Sequence, residues 1–141
     1  MKVLHSVNFI HRDIKLENIL VGREDSDQIF LIDFGLSIKY IDEASGKHVP
    51  KEMQGKFFGN LMFASLQTIR GKTPSRRDDI ESAMYLLIFL LNNQKLPWSI
   101  LFKKHPGLSR TFSSYINERL KTKYMIEFFK MVPFDLRHCI E

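Results

Sequence analysis

Short apolar runs alternate with polar segments through the first third of the chain. Two such runs, 19–22 and 29–32, are separated by the polar segment 23–28, in which four of six residues are charged. Apolar runs of this length on either side of a polar turn are typical of a β-hairpin. The pattern therefore predicts two antiparallel strands, and the open end of their hairpin brings residue 18 close to residue 33.

A longer apolar run later in the chain predicts a helix. Ser75 is followed three residues later by Asp78, which is the spacing of a capping box at a helix N-terminus. Over 80–91 the apolar residues surround nearly the whole helical circumference, which is typical of a helix enclosed by other elements. We therefore expect a central helix over 76–92 that is buried on every side.

The remaining segments have weaker patterns. Residues 36–66 mix glycine, lysine and aromatic side chains without a period and predict a long loop. After residue 98 the periodicity fades, and the chain is expected to form a helical part over 99–141. The helices predicted there are 109–121, 124–131 and a third that begins at Pro133.

Composition and charge narrow the classes of protein to consider. The chain has 141 residues, 44% of them hydrophobic, which is enough for the core of one modest domain. The longest apolar run, 83–91, is too short to cross a bilayer, so no membrane partner is expected. The net charge of +5 is spread along the chain and favours no nucleic-acid partner, because an acidic peptide or a nucleoside triphosphate accounts for it equally well.

Cysteine usage bears on the cellular compartment. The single cysteine, Cys139, cannot form an intrachain disulfide. Because disulfides are typical of oxidising environments, we expect a reducing compartment, the cytoplasm first and the nucleus second.

Polar side chains flank both strands of the predicted hairpin. Asp13, Lys15 and Asn18 precede the first strand, and Asp33 follows the second. In an extended loop, side chains two residues apart point the same way, so Asp13 and Lys15 can face one reaction centre. A carboxylate there can accept a proton from a hydroxyl group, and an ammonium group can offset negative charge on a phosphoryl group. Asn18 and Asp33 offer the oxygen ligands that Mg²⁺ prefers, so the set is suited to phosphoryl transfer.

These residues resemble the catalytic and metal-binding motifs of eukaryotic protein kinases, with His-Arg-Asp-Ile-Lys-Leu-Glu-Asn at 11–18 and Asp-Phe-Gly at 33–35. Lysine two positions after the first aspartate is typical of the serine/threonine branch. Further pieces are similar to the casein kinase I family: Ser-Gly-Lys-His-Val-Pro at 45–50, Ala-Ser at 64–65, Ser-Arg-Arg-Asp-Asp at 75–79 and Leu-Pro-Trp at 96–98. The shared order of these pieces makes the resemblance specific.

The resemblance implies an α+β, mostly α-helical fold: the C-terminal lobe of a protein kinase with a short β-hairpin. Only eight residues precede the first strand-like run, so the N-terminal lobe, with its glycine-rich loop, is expected to be absent, and both ends are expected to be truncated. The implied segments are the catalytic loop 9–21, the metal-binding motif 33–35, the activation and substrate loop 36–66, the central helix 76–92 and a truncated helical part over 99–141.

The activity that the resemblance implies is ATP-dependent phosphorylation of serine or threonine in protein substrates, with ATP and Mg²⁺ as cofactors. The implied residues are Asp13 and Lys15 for catalysis, Asn18 and Asp33 for the metal, His11, Arg12, Gly35 and Asp79 for structural support of the site, and Asn60 in the substrate loop.

The supporting residues have alternative interpretations. His11 is expected to pack against the Asp-Phe-Gly turn rather than to bind a metal. Arg12 either meets an anion from the activation segment or stays a solvated charge. Asp79 either braces the catalytic loop through backbone hydrogen bonds, as in kinases, or is only a favourable charge at a helix N-terminus.

The chain also departs from the family pattern. Gly59-Asn60 stands where serine/threonine kinases carry Gly-Thr, and Met62 stands where casein kinase I members carry an anion-binding arginine. A preference for phosphate-primed substrates is therefore not implied. Elsewhere, Leu16 replaces the usual proline and Met84 replaces a glycine of the central helix.

Alternative functions remain open at this point. The first is a catalytically inactive, truncated kinase remnant that acts as a protein-binding module. The second is a nucleic-acid-binding module, which is disfavoured because the chain has no stripe of basic and aromatic residues. The third is a small-molecule phosphotransferase, against which Arg12 and the Ser-Arg-Arg-Asp-Asp piece argue.

Overall fold

The computed structural model describes residues 1–23, 27–50 and 57–99, together with Glu118, 121–124, Lys130 and Val132. The chain divides into two compact units, Met1–Leu86 and Leu87–Glu141. Each unit is described here by itself.

The first unit contains two small antiparallel sheets and short helices. Its elements in chain order are helix α1 (Lys2–Ser6), strand β1 (Phe9–Ile10), a 3-10 turn (Leu16–Asn18), strands β2 (Ile19–Val21), β3 (Ile29–Leu31) and β4 (Ile38–Lys39), helix α2 (Leu66–Ile69) and the beginning of helix α3 (Arg76–Leu91).

The predicted β-hairpin is confirmed. Strands β2 and β3 pair antiparallel, with Ile19 opposite Leu31 and Val21 opposite Ile29, and each is one residue shorter than predicted. The backbone N–H of Ile32 donates to the carbonyl oxygen of Asn18 at 3.0 Å and extends the pairing by one step. Asp33 therefore leaves the hairpin next to Asn18, at the open end that the sequence pattern indicated.

A second pairing closes the segment that contains the hairpin. Strand β4 returns to pair antiparallel with β1, so that Ile10 lies opposite Ile38. The residues that follow β1 and those that precede β4 are consequently held at the same end of the unit. This closure fixes the catalytic loop beside the Asp-Phe-Gly motif.

The core of the first unit combines apolar and polar side chains. The buried apolar residues include Ile10, Ile14, Tyr40, Phe63, Ile69 and Leu86. The buried polar residues include His11, Asp13, Asn18, Ser65, Asp78 and Asp79. Because burying a polar group without a partner is costly, their hydrogen bonds define the arrangement of the site described below.

Helix α3 begins where the sequence predicted. The backbone N–H of Ser75 donates to Asp78 Oδ2 at 2.7 Å, which is the side-chain-to-backbone half of a capping box. The helix ends at Leu91, one residue before the predicted end. Asn93 and Gln94 follow with positive φ angles of 51° and 58°, a left-handed conformation that cannot continue a helix.

The expectation that α3 is buried on every side is wrong. Ile80, Leu87 and Leu91 are between 38% and 53% exposed, and their spacing of seven and four residues places them on one face of the helix. Asp78 and Tyr85, seven residues apart on another face, are buried. The apolar composition around a helix does not determine which faces neighbouring elements cover, and here the described elements cover only part of the circumference.

The second unit is described in its first residues and at a few later positions. Trp98 is fully buried, and the ammonium group of the buried Lys121 lies 4.9 Å from the centroid of its ring. Such a desolvated cation–π contact is stabilising. Glu118, Lys121 and Lys130 are helical, but most of the predicted helices 109–121 and 124–131, and all of the one that begins at Pro133, lie outside the described residues. Within the part of the chain that is described, no helix is long and apolar enough to cross a membrane.

Candidate active site

His11 joins the catalytic loop to the end of strand β3. Its Nε2 donates to the carbonyl oxygen of Ile32 at 3.0 Å, and its Nδ1 accepts the backbone N–H of Asp13 at 3.3 Å. The imidazole tautomer with its proton on Nε2 satisfies both contacts. The ring also packs edge-on against Phe34, with centroids 5.2 Å apart. The structure therefore places His11 against the Asp-Phe-Gly motif.

Asp79, in the first turn of α3, holds the backbone of the catalytic loop. Its Oδ2 accepts the N–H of His11 at 2.8 Å, and its Oδ1 accepts the N–H of Arg12 at 2.9 Å. The ring nitrogen Nε2 of His5 lies 2.9 Å from Oδ2 and supplies a third partner. Arg12 has a φ angle of 70°, which is uncommon for a residue other than glycine, and the two backbone hydrogen bonds hold it there. These are the bracing contacts that the resemblance implied for Asp79.

The side chain of Arg12 connects the catalytic loop to the activation and substrate loop. Its Nε donates to the carbonyl oxygen of Leu36 at 2.6 Å, and its guanidinium carbon lies 5.3 Å from the ring centroid of Phe58. Burial lowers the pKa of Arg12, and the charge of Asp79 partly offsets this effect. Within the described residues these contacts leave Arg12 partly buried, so it is not a fully solvated charge. Residues 51–56 of the activation segment lie outside the described residues, so the contact with an anion of that segment stays a prediction.

Asp13, Lys15 and Asn18 form one hydrogen-bonded cluster. Lys15 Nζ donates to Asp13 Oδ2 at 2.6 Å, and Asn18 Nδ2 donates to the carbonyl oxygen and to Oδ2 of Asp13 at 2.8 and 3.2 Å. The hydrogen bond to Asp13 raises the pKa of Lys15, and the charges of Asp13, Glu17 and Asp33 add to the effect while burial opposes it. Lys15 therefore carries a positive charge at neutral pH.

One oxygen of Asp13 remains without a partner. Asp13 is 6% exposed, and its Oδ1 finds no hydrogen bond within the described part of the chain. A Cβ atom built on Gly59 would lie 3.6 Å from this oxygen, so Oδ1 faces the substrate loop. A buried acceptor that lacks a donor costs free energy.

Asn18 and Asp33 present two oxygens at the open end of the hairpin. Because the amide nitrogen of Asn18 donates to Asp13, its amide oxygen is left for a ligand. Asp33 is exposed, has a φ angle of 60°, and accepts the backbone N–H of Gly35 on Oδ1 at 3.2 Å. A Cβ on Gly35 would come within 3.2 Å of the same oxygen, so glycine keeps this turn tight.

This donor set fits a hard cation that shares its ligands with phosphate groups. Mg²⁺ is usually held by one or two protein oxygens, and substrate phosphates and water complete its octahedral shell. Asn18 and Asp33 supply one neutral and one charged oxygen donor. No cluster of three or more His, Cys, Asp or Glu side chains suited to a metal occurs among the described residues. Two oxygen donors of this kind fit Mg²⁺ bound together with a nucleotide.

The side chain of Asn60 forms hydrogen bonds within its own loop. Its Oδ1 accepts the backbone N–H groups of Met62 at 2.9 Å and Phe63 at 3.4 Å, which closes a tight turn. The amide oxygen of Asn60 thus stabilises the shape of the substrate loop.

Gly59 is a site residue that sequence reasoning missed. Its φ angle is 101°, and a Cβ atom there would collide with the carbonyl oxygen of Arg12. The substrate loop can therefore touch the catalytic loop only through a residue without a side chain. The sequence pattern indicates position 59 only as half of a Gly-Asn pair, because a close approach between two distant segments leaves no signal in the local pattern.

Comparison with known proteins agrees with this geometry. Residues 1–131 match the family described as protein kinase domain. The chain belongs to the protein kinase family. A similar relative is the casein kinase 1-like protein HD16 of Oryza sativa subsp. japonica, which is 42% identical over 102 residues. That match covers 70% of this chain and 14% of the relative, so the chain spans only a small part of the relative's length.

The kinase family accounts for the fold and for the class of the site. The similarity to a casein kinase 1-like protein supports the casein kinase I branch that the sequence indicated. The first unit, with its small sheets and few helices, is part of a protein kinase domain. Members of this family generally use ATP and Mg²⁺, which matches the oxygen donors found at the hairpin.

Replacing Gly59 by alanine should loosen the contact between the two loops of this kinase domain. The positive φ angle alone is expected to cost about 1–3 kcal/mol in an alanine variant. The collision with the Arg12 carbonyl group adds to this cost. Denaturant unfolding monitored by circular dichroism measures the change in the free energy of unfolding.

Gly46 provides a matched control for this substitution. It also has a positive φ angle, 65°, but a Cβ atom there would meet nothing within 4 Å. Gly46→Ala carries the backbone strain without the collision. Equal losses of stability in Gly46→Ala and Gly59→Ala would mean that the close approach of Gly59 to Arg12 contributes nothing.

Proposed function

We propose that this chain carries the catalytic machinery of a serine/threonine protein kinase of casein kinase I type. The observation that carries the proposal is the environment of Asp13: one carboxylate oxygen is held by Lys15 and Asn18, and the other is buried, unpartnered and directed at Gly59 of the substrate loop. A carboxylate so arranged is ready to accept a hydrogen bond from a substrate hydroxyl group.

The proposed reaction transfers the γ-phosphoryl group of ATP to serine or threonine. The hydroxyl oxygen of the substrate attacks the γ-phosphorus, and the bond between this phosphorus and the β,γ-bridging oxygen breaks, so that ADP leaves. Asp13 orients the hydroxyl group and takes up its proton. The ammonium group of Lys15, which stays 2.6 Å from Asp13 Oδ2, offsets the negative charge on the transferring group.

Asn18 and Asp33 are proposed to hold Mg²⁺ on the nucleotide phosphates. When bound, this ion supplies positive charge against the phosphate oxygens. The protein prepares the two ligands in different ways: Asn18 is oriented by its hydrogen bonds to Asp13, and Asp33 by the backbone N–H of Gly35.

The chain is further proposed to be the large lobe of the kinase. Its parts are the catalytic loop 9–21, the metal-binding motif 33–35, the loop 36–66 and the central helix 76–91. Support for this assignment comes from the hairpin, where four large apolar side chains are half or more exposed: Leu20, Val21, Ile29 and Phe30. Exposed apolar surface of this extent is suited to contact with another folded part, such as a small lobe.

The isolated chain is expected to bind Mg-ATP only weakly. A large lobe alone supplies the residues that face the phosphates, but it supplies only half of the walls of an adenine pocket. Isothermal titration calorimetry with the purified 141-residue chain measures this directly. A micromolar dissociation constant for Mg-ATP would contradict the large-lobe assignment.

Phosphate transfer tests the proposed activity itself. A full-length protein that joins this chain to a small lobe is incubated with labelled ATP and with two peptides that differ only in carrying serine or tyrosine. We expect labelling of the serine peptide alone, and its loss when Mg²⁺ is chelated. No labelling of the serine peptide with Mg²⁺ present would contradict the proposal.

A second candidate is an inactive kinase remnant that binds a protein partner. The exposed apolar side chains of the hairpin also support this function, because they are suited to contact with another protein. The two functions differ in whether the protein binds Mg-ATP and transfers phosphate. Failure of the full-length protein both to transfer phosphate and to bind Mg-ATP would favour this second function over the first.

A further inference from the structure

Two adjacent buried aspartates at the start of α3 bind two different loops. Asp79 holds the catalytic loop through the backbone of His11 and Arg12. Asp78 reaches Ser65, at the end of the substrate loop, where Ser65 Oγ donates to Asp78 Oδ1 at 2.5 Å. Ser65 is 1% exposed and Asp78 is 5% exposed, so this hydrogen bond is shielded from water.

The hydroxyl group of Ser65 makes two kinds of hydrogen bond at once. Its single hydrogen points to Asp78, because a separation of 2.5 Å from a carboxylate requires a donor. Its oxygen accepts the backbone N–H of Thr68 at 3.0 Å and so caps helix α2. Thr68 Oγ1 lies 2.9 Å from the same oxygen and acts as a second donor to it. Ser65 therefore links the start of α2 to the start of α3.

The partners of Asp78 and a neighbouring carboxylate make this link rigid. Asp78 Oδ2 accepts the backbone N–H and the hydroxyl group of Ser75 at 2.7 and 3.0 Å, so the carboxylate cannot rotate freely. One turn further along α3, Glu81 Oε1 accepts the N–H of Leu66 at 3.1 Å and the hydroxyl group of Tyr85 at 2.7 Å. Burial, followed by the charge of Glu81, raises the pKa of Tyr85, so its hydroxyl group remains a donor to Glu81.

We propose that Ser65, Asp78 and Glu81 are positioning residues, which anchor the end of the substrate loop to α3 and set its distance from Asp13. We call this set the loop anchor. Residues 59–65 are then held at both ends: Gly59 lies against the Arg12 carbonyl group, and Ser65 is bound to Asp78. Because Asp78 and Asp79 are neighbours on one helix, the substrate loop and the catalytic loop are fixed to each other through a single peptide unit.

Hydrogen exchange in the purified 141-residue chain tests the anchor without any need for activity. The variants are Ser65→Ala and Asp78→Asn. Arg77→Gln is the control that removes only the ion pair between Arg77 Nε and Asp78 Oδ2, 3.7 Å long and formed by a side chain that is more than half exposed. The probes in the substrate loop are the amides of Met62 and Ala64, which bond to Asn60. The probes in the catalytic loop are the amides of His11 and Arg12.

We expect exchange at Met62 and Ala64 to accelerate by about tenfold or more in both anchor variants, since each loses a charge-assisted hydrogen bond. Exchange at His11 and Arg12 should stay within about twofold of the unmodified chain, because Asp79 is untouched. Equal acceleration at all four amides, or none at Met62 and Ala64, would overturn the anchor. Asp78→Asn keeps the Ser65 cap of α2, so the result also holds if Ser65→Ala fails to fold.

A kinetic measurement on the full-length protein tests the functional consequence, which rests on the proposed kinase activity. The KM for a serine peptide should rise about tenfold in either variant, and the double variant should be no worse than the single ones. The KM for ATP should not change. A rise in both KM values would contradict a positioning role in the substrate loop. Absence of phosphate transfer in the unmodified protein would contradict the proposed function. The hydrogen-exchange experiment would still show whether the loop anchor holds the substrate loop.

Discussion

Replacing Asp79 by alanine is expected to lower the free energy of unfolding by about 2–6 kcal/mol, because two backbone N–H groups of the catalytic loop lose their acceptor. The substitution would leave the buried N–H groups of His11 and Arg12 without acceptors, and would remove the partner of His5. Each orphaned buried donor costs about 1–3 kcal/mol. With Arg12 no longer held at a φ angle of 70°, the catalytic loop should also lose its conformation.

Chemical denaturation compares Asp79→Ala with two further variants. The free energy of unfolding of Asp79→Asn should lie between those of the alanine variant and the unmodified chain. The amide oxygen can still accept one backbone hydrogen bond, but the amide N–H group faces the other backbone donor. Arg77→Ala removes an ion pair of 3.7 Å between Arg77 Nε and Asp78 Oδ2, and should change stability by less than about 1 kcal/mol because the Arg77 side chain is more than half exposed. A loss below about 1 kcal/mol in Asp79→Ala would mean that water or another group satisfies the loop backbone.

Local patterns were sufficient for the hairpin and for the start of the central helix. The alternation of apolar and polar runs at 19–22 and 29–32 predicted strands β2 and β3, because side-chain period and turn composition are properties of neighbouring residues. The convergence of Asn18 and Asp33 then followed from the geometry of a hairpin. Ser75 and Asp78 marked the beginning of α3 for the same reason, since a capping box lies within one turn.

Contacts between distant segments could not be predicted in this way. Nothing in the local sequence indicates that Gly59 lies against Arg12, or that Ser65 reaches Asp78 thirteen residues later. The two interpretations of Arg12 did not include its contacts with the carbonyl oxygen of Leu36 and the ring of Phe58, because each contact joins distant segments of the chain. The predicted burial of α3 was too high, because apolar composition shows only which faces a helix is able to bury. The faces that are actually buried depend on the elements that pack against it.

Replacing Asp13 by asparagine is expected to lower kcat by about 10²–10⁴-fold, the usual contribution of a positioned acid or base. The amide has nearly the same shape, so the hydrogen bond to Asn18 and the fold of the loop should survive. It cannot take up a proton from the substrate hydroxyl group, and it no longer offers a charge to Lys15. Single-turnover phosphate transfer by the full-length protein measures the loss, and thermal unfolding checks that the fold is intact.

Glu17→Gln is the matched control for this variant, because Glu17 is an exposed carboxylate in the same loop that also acts on Lys15 through its charge. It should leave kcat within about twofold, since an exposed charge interacts weakly through water. If both variants lost activity equally, the cause would be the electrostatic environment of Lys15 and not the proton acceptor. An unchanged kcat in Asp13→Asn would contradict the role of Asp13, because no other buried carboxylate of the described residues has an unpartnered oxygen.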